Sequence, residues 1–165
     1  MKKTLSVILA VLLAVSLLAA CGGSSKGAAE TKYETFTFND LTFKVPENLS
    51  LKESSIEGYD YYLEGDHVII LATEISKELL AEFDYSIDDI KEIAFQDIDT
   101  APEKIGNTET ASYHNSVEDS SFFYTYSFVE SANNVYDVHL ACAASEESQY
   151  KDIMYDIISK IEVAK

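Results

Sequence analysis

The 165 residues carry 12 lysines, no arginine and 29 acids, a net charge of −17, which sets this chain against nucleic acid, whose phosphates bind by exchanging counterions for lysine and arginine. Anionic lipid headgroups are repelled for the same reason, and without arginine there is no bidentate grip on carboxylate or phosphate ligands. Only Cys21 and Cys142 are present, so any fold must stand on its core rather than on a disulfide framework.

Lys2 and Lys3 precede an apolar run from Leu5 to Ala20. The run is shorter than the roughly 20 residues of a spanning helix and reads as a secretory signal over residues 1–20. It ends in Leu18-Ala19-Ala20-Cys21, followed by Gly22-Gly23-Ser24-Ser25. This stretch resembles the lipobox of bacterial lipoproteins. The resemblance implies that the Cys21 thiol receives diacylglycerol, that cleavage falls between Ala20 and Cys21, and that the protein is held outside the cytoplasm on the cell membrane by its acyl chains. Loss of residues 1–20 removes two lysines and no acid, leaving 10 lysines against 29 acids, a charge of −19. Residues 21–32, rich in Gly, Ser and Ala, read as a flexible tether, and one domain is expected over 33–165.

The domain opens with two alternating strands, Glu34 to Phe38 and Leu41 to Val45, joined by a tight turn at Asn39-Asp40. That register sets Phe38 opposite Leu41 and Phe36 opposite Phe43 on one apolar face, with Thr35, Thr37, Thr42 and Lys44 on the other. Pro46 ends the unit. A second hairpin is expected from Tyr59 to Glu64 and His67 to Thr73 about a Gly65-Asp66 turn, with Val68-Ile69-Ile70-Leu71 as a strand covered on both faces. Ser76 predicts a short helix carrying Leu79, Leu80 and Phe83. Ser86 with Asp89 forms a capping-box pattern for a second helix, with Ile87, Ile90, Ala94 and Ile98 inward.

Lys104 to Tyr113 reads as a weak strand interrupted by Gly106. Phe122 to Val129 and Val135 to Ala144 then form a strong pair about Ser131-Ala132-Asn133-Asn134. On the first, Phe122, Tyr124, Tyr126 and Phe128 share a face; on the second, Tyr136, Val138, Leu140 and Cys142 alternate with Asp137, His139 and Ala141. The closing helix places Tyr150, Ile153, Met154, Ile157, Ile158 and Ile161 at helical spacing, capped by Ser145.

Hairpin-linked strands with helices mid-chain and at the end predict an α+β fold, a single antiparallel β-sheet flanked by helices. The aromatic opening hairpin, Val45-Pro46-Glu47-Asn48-Leu49, the mid-chain helix, the long hairpin and the closing Ile157-Ile158-Ser159-Lys160-Ile161 helix together resemble the PsbP/Mog1-like domain over Tyr33 to Val163. The resemblance implies an α/β/α sandwich and a non-enzymatic accessory or binding role. It carries no catalytic residue over to this chain.

Read for chemistry, the sequence offers little. Cys142 and His139 are three apart on one strand and so on opposite faces, which separates the thiol from its only nearby base. His67, His114 and His139 sit on different elements without zinc-ligand spacing. Asp84, Asp88 and Asp89 are the densest acids at a helix start and the weak candidates for a metal. Capping and the helix dipole already account for them, and no calcium-loop pattern accompanies them. No phosphate loop, Gly-x-Ser-x-Gly or His-Glu-x-x-His occurs, and no cofactor is implied. Tyrosine occurs 11 times and tryptophan never. Tyr59, Tyr61 and Tyr62 are the candidate binding residues, because tyrosine offers a rigid contact surface with one polar tip. The expected function is therefore a non-catalytic, monomeric envelope domain engaging a protein partner, the alternative being a small-ligand-binding or hydrolytic domain acting on an envelope component.

Overall fold

Strict alternation in the first strands dictates how the domain starts. β1 (Tyr33–Phe38) and β2 (Leu41–Pro46) pair antiparallel in the predicted register, Phe38 opposite Leu41 and Phe36 opposite Phe43. Asn39 takes a φ of 50° at the turn, a conformation Asn tolerates. β10 (Glu162–Val163) adds to the far side of β2, and Lys44 pairs with Glu162 across the new edge. These coordinates form a computed structural model that describes residues 31–164. The expected signal segment, Cys21 and nearly all of the expected tether lie outside the described residues.

The fold is α+β, with two antiparallel sheets where a single one was expected. The hairpin joins no edge of the larger sheet because Leu41, Phe43 and Val45 are all fully buried. Its apolar face lies flat on the core instead of offering backbone to an edge. The larger sheet is built from β3 (Lys52–Ser54), β4 (Tyr61–Glu64), β5 (Val68–Ser76), β6 (Glu103–Ile105), β7 (Thr108–Val117), β8 (Ser120–Glu130) and β9 (Asn134–Ala143). Its order is β3-β4-β5-β9-β8-β7-β6.

Two glycines redirect the predicted chain path. Pairing of Leu63 with Ile70 moves the β4–β5 turn to Asp66-His67, one residue beyond the expected Gly65-Asp66. Gly65 is needed for close approach, since a Cβ there would lie 2.3 Å from Leu51 Cδ2 and 2.9 Å from the Val68 carbonyl. Gly106, at φ 61°, turns what read as one interrupted strand into the β6–β7 hairpin, with Ile105 opposite Thr108.

Three helices cover this sheet: α1 (Lys77–Glu82), α2 (Ile87–Phe95) and α3 (Glu147–Ser159). Ser76 accepts from the Leu79 amide at 3.4 Å, and Ser86 and Asp89 complete the capping box at 3.1 and 2.7 Å. Of the three apolar residues expected on this helix, α1 buries Leu80 and leaves Leu79 exposed, and Phe83 is exposed at its end. A six-residue helix presents one narrow inward stripe, and Phe83 already stands past its end, where Asp84 reverses the chain at φ 57°. Ile98 likewise lies beyond α2, and Phe95 takes its place against the sheet. Ser145 does not cap α3. It sits in a 3-10 turn, Ala144–Glu146, that tightens the passage from β9 into the helix.

α3 and the small sheet cover one face of the large sheet. Phe43, Val138, Leu140, Cys142, Met154 and Ile157 meet there in the main core. On the opposite face α1 and α2 pack Leu80, Ile87, Ile90 and Ala94 around Phe128 and Val135. That second cover reaches only one end of the sheet. No helix of the described residues is long and apolar enough to cross a membrane.

Candidate functional site: the open tyrosine face

From the border of α2 outward, strand pairing assembles one continuous set of side chains. Tyr113 of β7 stands opposite Tyr124 of β8, Tyr126 opposite His139 of β9, and His139 in turn opposite Leu71 of β5, with Tyr62 of β4 opposite Leu71. Cross-strand partners share a face, so all of these emerge on the open side. Tyr59, from the segment before β4, stands edge-on to His139 with ring centroids 6.1 Å apart.

Within this set the rings are ordered. Tyr113 and Tyr124 stack at 5.2 Å and Tyr126 and His139 at 4.1 Å, while Phe95 of α2 closes edge-on against Tyr126 at 5.5 Å. At the centre is Asp137. Its Oδ2 accepts from the Tyr126 hydroxyl at 3.1 Å. Its Oδ1, shielded from solvent, lies 2.7 Å from Nε2 of His139.

The electrostatics follow from that arrangement. Burial, and then the Asp137 charge, push the Tyr59 and Tyr126 hydroxyls above the ordinary phenol range. Burial with Tyr124, Tyr59 and Asp137 pushes Tyr113 up to about 12. All three therefore keep their protons at neutral pH, when each hydroxyl can donate a hydrogen bond.

Of the tyrosines singled out in the sequence, Tyr59 and Tyr62 reach this face and Tyr61 does not. Strand alternation turns Tyr61 into the core side, where it stacks on Phe38 at 5.0 Å and donates to Glu53 at 3.1 Å. Asp137 and His139 as the centre were missed. Their signal was present as a polar pair at i, i+2 beside Tyr124 and Tyr126 at the same spacing, but only the β8–β9 register joins the two.

The acidic candidates do not gather into a site. The Asp89 carboxylate accepts from the Ser86 amide and hydroxyl, which hold it below the usual carboxylate range. Asp84 occupies the reversal between helices and Asp88 the exposed first turn of α2. Among the described residues no group of three or more His, Cys, Asp or Glu could hold a metal ion. The histidines are equally dispersed. His67 pairs with Glu146 at 3.0 Å and His114 with Glu147 at 2.9 Å, tying the β4–β5 turn and β7 to the start of α3. A concavity of about 640 Å³ opens at the β6–β7 end. It is lined partly by Lys91, Lys104, Glu109 and Glu130, and Lys91 is already shared by Glu109 and Glu130 at 3.8 and 3.7 Å.

Cys142 is a core residue on the face opposite His139, as its odd separation predicts. Burial and then Glu146 and Glu147 push its thiol up to about 11, leaving almost no thiolate at neutral pH. Cys142 is expected to resist a maleimide reagent in the native protein and to react at full rate once urea unfolds it. Labelling of the native chain within seconds would contradict this placement.

No family model matches the chain, and no curated protein does. Its fold does have a solved counterpart. A protein from Bacteroides thetaiotaomicron VPI-5482 is similar over 76% of this chain at 11% sequence identity, with a TM-score of 0.56. The chain spans under half of that structure, 46% of its length. The likeness shows the fold alone.

Proposed function

We propose that this chain is a lipid-anchored, extracytoplasmic binding or accessory domain that works by docking a protein partner on its open tyrosine face. The observation that carries the reading is the half-covered sheet: Tyr59, Tyr113 and Tyr124 stand ordered on a face that α1 and α2 leave free, with Tyr126 at its border against Phe95. Tyrosine at an open face gives contact area at low entropic cost, because two torsions fix a large amphipathic ring. The anchor rests on Leu18-Ala19-Ala20-Cys21 and the basic, apolar segment before it.

The finer fold reading, a PsbP/Mog1-like α/β/α sandwich, belongs to the same proposal. Supporting it are the order of opening hairpin, mid-chain helices, long hairpin and closing helix, with α3 on one face of the sheet and α1 and α2 on the other. A domain of that kind in the cell envelope needs an anchor, a tether and a surface. A hydrolytic role would need a nucleophile beside His139, and the groups around it are protonated phenols and a carboxylate. Crosslinking in intact cells followed by recovery of the chain tests the proposal, with a discrete partner dependent on the tyrosine face as the expected result.

A further inference from the structure

We propose that the concavity at the β6–β7 end binds a neutral polyhydroxylated ligand, a sugar chain, through the spaced ammonium and carboxylate groups on its wall. It is a second site, lined by none of the tyrosines, and stands apart from the docking reading above. Its volume of about 640 Å³ falls within the range of about 300–1,000 Å³ usual for small-molecule sites. Strand register builds one wall. Lys104 of β6 stands opposite Glu109 of β7, and Glu109 opposite Phe128 of β8, so the three share a face, to which α2 brings Lys91. Asn107 and Thr108 follow at the β6–β7 turn, and Ile161 and Val163 form an apolar flank.

Charge decides the class of ligand. The Lys91 ammonium lies 3.8 Å from Glu109 and 3.7 Å from Glu130, and Glu130 also reaches Lys77 at 3.4 Å. Lys77, Lys91 and Lys104 thus stand among Glu103, Glu109 and Glu130, a balanced patch in a chain of net charge −17. A ligand carboxylate or phosphate approaching Lys91 would meet two glutamates, and a ligand ammonium approaching Glu130 would meet two lysines. Either full charge is opposed.

Hydrogen bonding runs the other way. Separations of 3.7 and 3.8 Å exceed the reach of an N–H···O bond, so these pairings neutralise charge without occupying the Lys91 donors. Lys91 is only 20% exposed, which holds its ammonium at the wall. A hydroxyl fits this spacing, because it accepts from the ammonium and donates to the carboxylate at once. Vicinal hydroxyls repeat that pattern, and Asn107 and Thr108 supply further donors and acceptors beside it. The C–H faces of a sugar ring would rest on Ile161 and Val163.

The test uses the full chain in dodecylphosphocholine micelles, with backbone amide NMR signals as readout. The probes are the neutral trisaccharides maltotriose, cellotriose and triacetylchitotriose, with zwitterionic Ala-Ala-Ala and inorganic phosphate as charged comparisons. At least one trisaccharide is expected to shift the Lys91, Asn107 and Thr108 signals saturably and leave Thr37 of β1 unmoved. The charged probes are expected to shift none of them. Lys91→Met and the isosteric Glu109→Gln are each expected to weaken sugar binding about tenfold, the size of one hydrogen bond to a charged group. Lys52→Met, on β3 at the opposite edge of the sheet, is expected to weaken it less than about twofold.

Saturable shifts from none of the three trisaccharides would overturn the sugar site. Tighter binding of Ala-Ala-Ala or phosphate than of every sugar would overturn it as well, because the balanced charges would then select a charged ligand. Sugar binding that ignores both Lys91→Met and Glu109→Gln would place the ligand elsewhere and contradict the role given to this wall. None of these results bears on the tyrosine face, whose partner is sought separately by crosslinking.

Discussion

Phe43→Ala is expected to destabilise the domain by about 3–5 kcal/mol, a large share of the roughly 5–15 kcal/mol that holds a domain of this size. Phe43 is fully buried in β2, lies across from Phe36, and stacks on Tyr61 at 6.1 Å in the core beneath α3. Removing the ring forfeits its burial and leaves a cavity between the small sheet, β4 and the helix, which rigid neighbours on three sides cannot close. The matched control is Phe83→Ala. That ring is 67% exposed, so its loss is expected to change stability by no more than about 0.5 kcal/mol. Urea unfolding followed by far-ultraviolet circular dichroism separates the two. A small effect of Phe43→Ala would mean that the opening hairpin is an appendage and not part of the core.

Cys21→Ser is expected to abolish membrane retention. The proposed anchor is a thioether to diacylglycerol, which a serine hydroxyl cannot replace. Two acyl chains hold a protein stably because each buried CH₂ contributes about 0.8 kcal/mol, whereas one chain binds only marginally. With a net charge of −17 the chain gains nothing from anionic headgroups to compensate. Metabolic labelling with an alkyne fatty acid is therefore expected to mark the parent chain and leave the variant unmarked. The variant should be shed or accumulate with its signal attached. A labelled, membrane-bound Cys21→Ser chain would sink the lipoprotein reading.

Much of the fold was legible in the sequence because its strands alternate and its helices carry explicit start signals. The Phe36–Phe43 register, the Ser86–Asp89 box and the inward stripe of Tyr150, Met154, Ile157 and Ile158 are all local patterns, and the structure repeats them. Features set by tertiary contact were harder to read. The extra sheet depends on how β2 lies against α3, and β10 pairs with β2 across more than a hundred residues of sequence. Gly65 looked like a turn residue because glycine is ambiguous between positive φ and close approach, and only the nearness of Leu51 decides between them. The site was half legible for the same reason. Periodicity puts Tyr124 and Tyr126 on one face and Asp137 and His139 on one face, but nothing local says that the two faces are the same or that helices leave them open.

The central claim, that the tyrosine face docks a partner of a membrane-anchored domain, is tested most directly by a photo-crosslinking amino acid placed at Tyr124 and, for comparison, at Thr37 on the exposed side of β1. Irradiation of intact cells is predicted to give one discrete adduct from position 124 and none from position 37, and Cys21→Ser in the same chain should abolish the adduct along with the anchor. Identical patterns from the two positions, or an adduct from 37 alone, would contradict the account.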